Sequence, residues 1–179
     1  MEAAVSSEAS LIRAAASGNL GAFSELVREY RIRVLRTATG IVGSVEEAED
    51  VAQEVFLKVW QGLSAYQVRG TFASWLYRIT VNTSIDALRR RPEQVPFEDW
   101  HSASSDPLEE TVLRRDSLRR VSKAIDTLPP NARVTLVLRE YEQLSYKEIA
   151  EVLQIPLGTV MSRLNYARKL LRKRLSEEG

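Results

Sequence analysis

The sequence predicts an all-α fold, with two small helical domains joined by a flexible acidic linker. Helical periodicity dominates, and no stretch alternates convincingly as a strand would. Capping residues and glycine or proline stops recur at helix spacing. One stretch, RPEQVPFEDWHSASSDPLEE, has prolines, serines and acids but no period, and it reads as a linker. The expected division is residues 1–92, a linker over 93–112, and residues 113–179.

A first helix is expected from about Ser10 to Ser17, ended by Gly18. Asn19 caps the next, which carries Leu20, Phe23, Leu26, Val27 and Tyr30 on one face. It runs toward Ile41, and Gly43 breaks it. Ser44 and Glu47 have the spacing of a capping box and open a helix to about Gln61. Gly62 to Gly70 is expected to be a loop. A further helix begins near Thr71 and must end by Pro92. The second domain starts near Leu113, is interrupted at TLPPNAR, and continues in two or three helices.

Composition excludes several classes. The 25 basic and 24 acidic residues nearly cancel, so net charge alone does not call for nucleic acid. Their distribution says more: an acidic block from Pro92 to Leu113 separates two basic-leaning blocks. Without cysteine there is no disulfide, thiolate metal site or thiol sensor in this chain. No apolar run is long enough to span a membrane, and the N-terminus has no secretory pattern, so a cytoplasmic protein is expected. His101, the only histidine, lies in the linker. No carboxylate pair is placed for acid–base chemistry, so neither an enzyme nor a cofactor site is expected.

The segment LSYKEIAEVLQIPLGTVMSRLNYARKLLRK has the layout of a helix-turn-helix. Ser145 and Glu148 form another capping box, Ala150 is small enough for a close crossing, and Pro156 suits a helix start. In the last helix Val160, Leu164, Ala167 and Leu171 share the buried face. Ser162, Asn165, Tyr166, Lys169 and Lys173 lie opposite. Polar side chains there suit base edges, and lysines such as Lys169 suit phosphates. The plain alternative is a solvated amphipathic helix.

In SVEEAEDVAQEVFLKVWQGL, Ala48, Val51, Ala52, Val55 and Val59 define a buried face. Asp50, Gln53, Glu54, Leu57 and Trp60 form the opposite stripe. An exposed leucine and tryptophan among acids fit a protein interface better than a solvated face. In GTFASWLYRITVNTSIDALRRR most of the circumference is apolar, and one strip holds Trp75, Arg78, Asn82, Asp86 and Arg89. An aromatic, an amide and arginines in a row suit unstacked bases and phosphates, with Tyr66 nearby. The competing reading makes Trp75 part of the core.

These three segments, in this order, resemble the extracytoplasmic-function (ECF) sigma factors of bacterial RNA polymerase. DVAQEVFLKVW is similar to the core-binding helix of region 2, and FASWLYRITVNTSIDALRRR to its minus-ten and melting part. LSYKEIAEVLQIPLGTVMSRLNYARK is similar to region 4. The resemblance implies that Asp50, Gln53 and Glu54 face the β′ clamp helices. It implies that Tyr66, Ile79 and Asn82 receive a flipped minus-ten base, and that Arg78, Arg89 and Arg90 hold the backbone there. Thr159, Met161, Ser162, Arg163 and Tyr166 would lie at the minus-thirty-five element, with the rest of region 4 on the β flap. Core RNA polymerase, promoter DNA and an anti-sigma factor are the implied partners. The acidic linker, like nucleic acid in charge, suits a basic channel of the polymerase.

Two departures stand out. Family members often carry arginine where Met161 and Tyr166 stand, and methionine cannot make the bidentate arginine–guanine contact. Gln154 replaces a frequent turn glycine, which is tolerable if that residue is left-handed. The competing function is a self-sufficient helix-turn-helix regulator, which would need a dimer and paired half-sites.

Overall fold

The computed structural model describes residues 2–67, 70–91 and 119–177, with only the backbone for 2–7. Its elements are α1 (Glu2–Ala16), α2 (Leu20–Val42), α3 (Val45–Gly62), α4 (Phe72–Arg90), α5 (119–126), α6 (Pro130–Glu140), α7 (Tyr146–Leu153) and α8 (Leu157–Glu177). A 3₁₀ turn, Leu63–Ala65, follows α3. The fold is all-α among the described residues. The acidic linker, with Trp100 and His101, and the start of the second domain near Leu113 lie outside them.

The local signals act as their chemistry dictates. Asn19 accepts from the Ala22 amide, Ser44 from Glu47 and Thr71 from Ser74, each relieving an orphan N–H of a helix start. Gly43, at φ 78°, ends α2 in the left-handed region that glycine adopts freely. Thr80 and Ser84 are fully buried in α4, and each hydroxyl donates to the carbonyl four residues earlier. That is how a helix apolar around most of its girth accommodates them.

α2 is the central rod of the first group and packs against α1, α3 and α4. Leu26, Val34, Val55, Val59, Leu63 and Leu76 fill its core at 2% exposure or less. Burying each such side chain contributes about 1.5–3 kcal/mol. In the second group α6 and α7 pack on α8 around Leu138, Ile149, Val160 and Leu164. This second core is shared: Ile41, Tyr77 and Val81 of the first group are buried in it.

Four expectations need correction. α1 begins at Glu2, well before Ser10, because its early residues have helix propensity but no readable apolar period. Leu20 is 66% exposed and not on the apolar face of α2, since it precedes the first turn that packs. Gly62 to Gly70 holds the 3₁₀ turn rather than a plain loop. Only half of the box at Ser44 forms: the Glu47 carboxylate is drawn away by Arg91, which also donates to the Val42 carbonyl.

The turn between α7 and α8 depends on Gln154, at φ 53° and ψ 45°. The left-handed conformation costs a non-glycine residue about 1 kcal/mol. Gln154→Gly is therefore expected to raise the thermal midpoint slightly, and Gln154→Val to lower it. Thermal denaturation by circular dichroism checks the order.

Candidate functional site

α3 presents its polar stripe from a helix whose first turn is acidic and capped. Asp50 and Gln53 are exposed, and Leu57 is 57% exposed. Glu54 is less free. Lys58 Nζ lies 2.8 Å from its carboxylate and Arg90 Nη2 3.1 Å. Hydrogen bonds from Lys58 and then Arg90 hold its carboxyl below the usual range. Lys58 also donates to Thr83 Oγ1 at 3.1 Å. Trp60 departs from the stripe: it is half-buried, with its ring 4.9 Å from that of Phe23. What faces solvent is thus Asp50, Gln53 and Leu57.

The 3₁₀ turn delivers Tyr66 to the start of α4. Its ring lies 4.8 Å from Trp75 and 5.9 Å, edge-on, from Phe72. Trp75 also covers Gly62, where an added Cβ would meet the indole at 3.2 Å. Both Tyr66 and Trp75 are half-buried, and burial raises the Tyr66 phenol above its ordinary value. Trp75 is therefore an aromatic wall with one accessible side, serving core and surface together. Ile79 is half-buried, and Asn82 is exposed. Trp75, Asn82 and Arg89 stand seven residues apart, on one face at intervals of about 10 Å.

The arginines of α4 divide by partner. Arg89 is exposed and 3.6 Å from Asp86. Arg90 sits on Glu54 and Arg91 on Glu47. Arg78 donates from Nη2 to the Glu151 carbonyl at 3.0 Å, at the end of α7, and its buried Nε has no partner. Its guanidinium is thus engaged by the second group of helices.

In the helix-turn-helix, Ser145 and Glu148 complete the capping box, and the Ser145 bonds lower the Glu148 carboxyl. Val160, Leu164 and Ala167 seat α8 in the core, while Leu171 is half-buried. Opposite them Ser162, Asn165, Lys169 and Lys173 are exposed, with Met161 at 53% and Tyr166 at 51%. Thr159 and Arg163 are half-buried at the edge of this face. Ser162 donates to the Thr159 carbonyl at 3.0 Å and keeps its lone pairs outward. Not every base of the run is free: Arg168 reaches back to Glu140 at 3.1 Å and the Tyr146 hydroxyl at 3.4 Å, clamping α8 to α6 and α7.

Some working residues escaped the sequence reading. Gly40, inside α2, faces Val137 of α6 and Tyr141 just beyond its end; a glycine in a helix interior was the available signal. Glu142 carries no local signal, yet its side chain is 1% exposed and bonds Arg36, Thr37 and Tyr77.

Comparison with known proteins agrees with this geometry. Residues 26–93 match the family described as Sigma-70 region 2, and residues 118–171 match Sigma-70, region 4. The chain is 36% identical over 177 residues to the RNA polymerase sigma-H factor of Pseudomonas aeruginosa, covering 92% of each protein. It is 38% identical over 162 residues to the ECF RNA polymerase sigma factor SigE of Mycolicibacterium smegmatis, covering 88% of this chain and 63% of that one. Among solved structures, CnrH in complex with the cytosolic domain of CnrY superposes with a TM-score of 0.75 at 26% identity, over 97% of this chain and 99% of that one. Two regions in this order, on an all-helical frame and at this identity, settle the family: the chain belongs to the ECF sigma factors of the sigma-70 family, which direct RNA polymerase to promoters.

Proposed function

We propose how this sigma factor divides its work. Residues 1–92 hold core polymerase and open the minus-ten element, residues 113–179 read the minus-thirty-five element, and residues 93–112 connect them. Asp50, Gln53 and Leu57 make the main contact with the β′ clamp helices, and Glu54 supports them while it holds Arg90. Tyr66, Trp75, Ile79 and Asn82 receive an unstacked base, and Arg78, Arg89 and Arg90 follow its backbone. On α8, Thr159, Met161, Ser162, Arg163 and Tyr166 meet base edges and nearby phosphates, and Lys169 clamps the backbone further along. The protein acts where polymerase and chromosome are, in the cytoplasm, and adds no catalytic chemistry of its own. CnrH is held by a protein domain, and an anti-sigma factor is the corresponding partner proposed here. With no cysteine in this chain, a thiol signal would be sensed by that partner.

What supports this most is the split of α8. Its Val160–Leu164–Ala167 seam is buried, and the opposite face starts polar and ends basic. Loss of one good base contact costs about 1–3 kcal/mol at one promoter position. Loss of one phosphate contact weakens all promoters alike and lowers the salt slope by roughly one unit. Ser162→Ala is therefore expected to change which minus-thirty-five sequences are used. Lys169→Ala is expected to reduce binding uniformly. Holoenzyme binding to a library of minus-thirty-five variants at several salt concentrations measures both. The same uniform loss from both substitutions would refute the division.

A further inference from the structure

On the outward face of α8, Gly158, Ser162 and Asn165 follow one another about one turn apart. They form a strip of short side chains that ends at Lys169, and all four residues are exposed. Nothing in the protein calls for the glycine: a Cβ added at Gly158 would meet no atom within 4 Å, and alanine is the better helix former. What the missing side chain permits is a close approach of the helix backbone to something outside the protein. That approach matters for Asn165, whose short side chain reaches a base edge only from a helix seated deep in the groove.

Met161 borders this strip on one side and Tyr166 on the other. Of the eight large apolar side chains exposed among the described residues, three lie in the first half of α8: Leu157, Met161 and Tyr166. Single apolar residues are ordinary on a surface, but three on the half-helix that enters the groove need an apolar feature to meet. In the major groove that feature is the C5-methyl of thymine. The arginines that could read guanine instead are placed elsewhere. Arg163 is half-buried at the edge of the face. Arg168 is held by Glu140 and the Tyr146 hydroxyl. Arg172 and Arg174 belong to the basic end beyond Lys169.

We infer that Asn165 is a base-reading residue and that, with Met161, it makes this helix select adenine–thymine pairs. The inference rests on the reading role of α8 proposed above. The Asn165 amide offers adenine one donor and one acceptor, donating to N7 and accepting from N6. Guanine shows two acceptors, N7 and O6, and the amide oxygen would face one of them. Met161 stands four residues earlier, next to Asn165 on the helix surface, and covers the methyl of a thymine in the neighbouring pair. A guanine in that place would lose water from O6 and N7 against a thioether that cannot donate in its stead.

Holoenzyme assembled from the full chain and core polymerase would select from a promoter library randomised over the minus-thirty-five element. The selected element should carry adenine–thymine pairs at two neighbouring positions. In that element, 7-deazaadenine removes N7 and deoxyuridine removes the methyl, and neither changes base pairing. The first should weaken the wild-type complex about tenfold. The second should weaken it about fourfold, the effect of one buried methyl. Asn165→Ala should abolish the first effect and Met161→Ala the second, each with an unchanged thermal midpoint, because both side chains are exposed. Gly158→Ala should lower promoter-complex formation about fivefold or more while its thermal midpoint holds or rises. Guanine selected at both positions would overturn the inference. So would analogue effects as large in the alanine variants as in the wild type, or full promoter binding by Gly158→Ala. Selection of no common element at all would instead strike the reading role of α8, and this inference with it.

Discussion

Core polymerase binding should fall by thirtyfold or more when Asp50 and Gln53 are both replaced by lysine. Both side chains stand exposed on α3 beside Leu57, away from the Val51–Val55–Val59 seam that anchors the helix. Their replacement therefore leaves the core untouched, and the thermal midpoint should hold, since surface changes of this kind stay within about 0.5 kcal/mol. An interface anchored at a few positions loses about 2 kcal/mol or more when a central one is destroyed. At 1.4 kcal/mol per factor of ten, that is about thirtyfold. Reversing charge adds repulsion from any basic surface that Asp50 met. Glu54 is a poorer choice for this test, because its removal also releases Lys58 and Arg90. Titration of labelled core enzyme with the purified variant gives the constant, and unchanged affinity would move the interface elsewhere.

Asn82→Ala should reduce promoter opening severely while leaving closed-complex binding nearly intact. Asn82 is exposed on α4, on the same face as Trp75 and two helical turns, about 10 Å, further along. An amide on the same helix face as an aromatic wall can hydrogen-bond a base edge while rings of that wall take up stacking. Stacking and base contacts of this kind are worth about 1–3 kcal/mol per base, and unstacking a step costs a few kcal/mol. The loss should appear as weak permanganate reactivity of promoter thymines on duplex DNA. A premelted bubble template should restore much of the activity, because the unstacking cost is already met. Equal defects on duplex and bubble templates would show that Asn82 acts in docking.

Much of the fold was legible because it is written locally. The caps at Asn19, Ser44 and Ser145 and the glycine stop at Gly43 each act within a few residues of themselves. The seam of α8 follows from its period alone. What escaped is long-range. Glu47 had the spacing of a capping box, yet Arg91, far along the chain, took its carboxylate. Trp60 looked exposed by period, and Phe23 from another helix covers it. Trp75 was balanced between core and surface in the sequence, and it stands at the boundary between them. Glu142 and Gly40 could be interpreted only once the two helical groups lay side by side.

The exposed faces of α3, α4 and α8 were the part of the candidate site easiest to anticipate, since helical period assigns faces directly. Their state of engagement was not. Arg78, Arg90 and Arg168 look alike in the sequence, but each has a different partner: a helix-end carbonyl, a carboxylate of α3, and a clamp onto α6 and α7. Only distances can separate such arginines from ones free to meet DNA.

The central claim is that this chain makes core RNA polymerase promoter-specific. Its most direct test is transcription of total genomic DNA from the native host by purified core polymerase, with and without the chain, followed by mapping of the start sites. A discrete set of starts should appear only when the chain is present, preceded by a common pair of elements, and should vanish with the Asp50→Lys, Gln53→Lys protein. An unchanged start-site map, together with tight binding of the chain alone to duplex DNA, would contradict it.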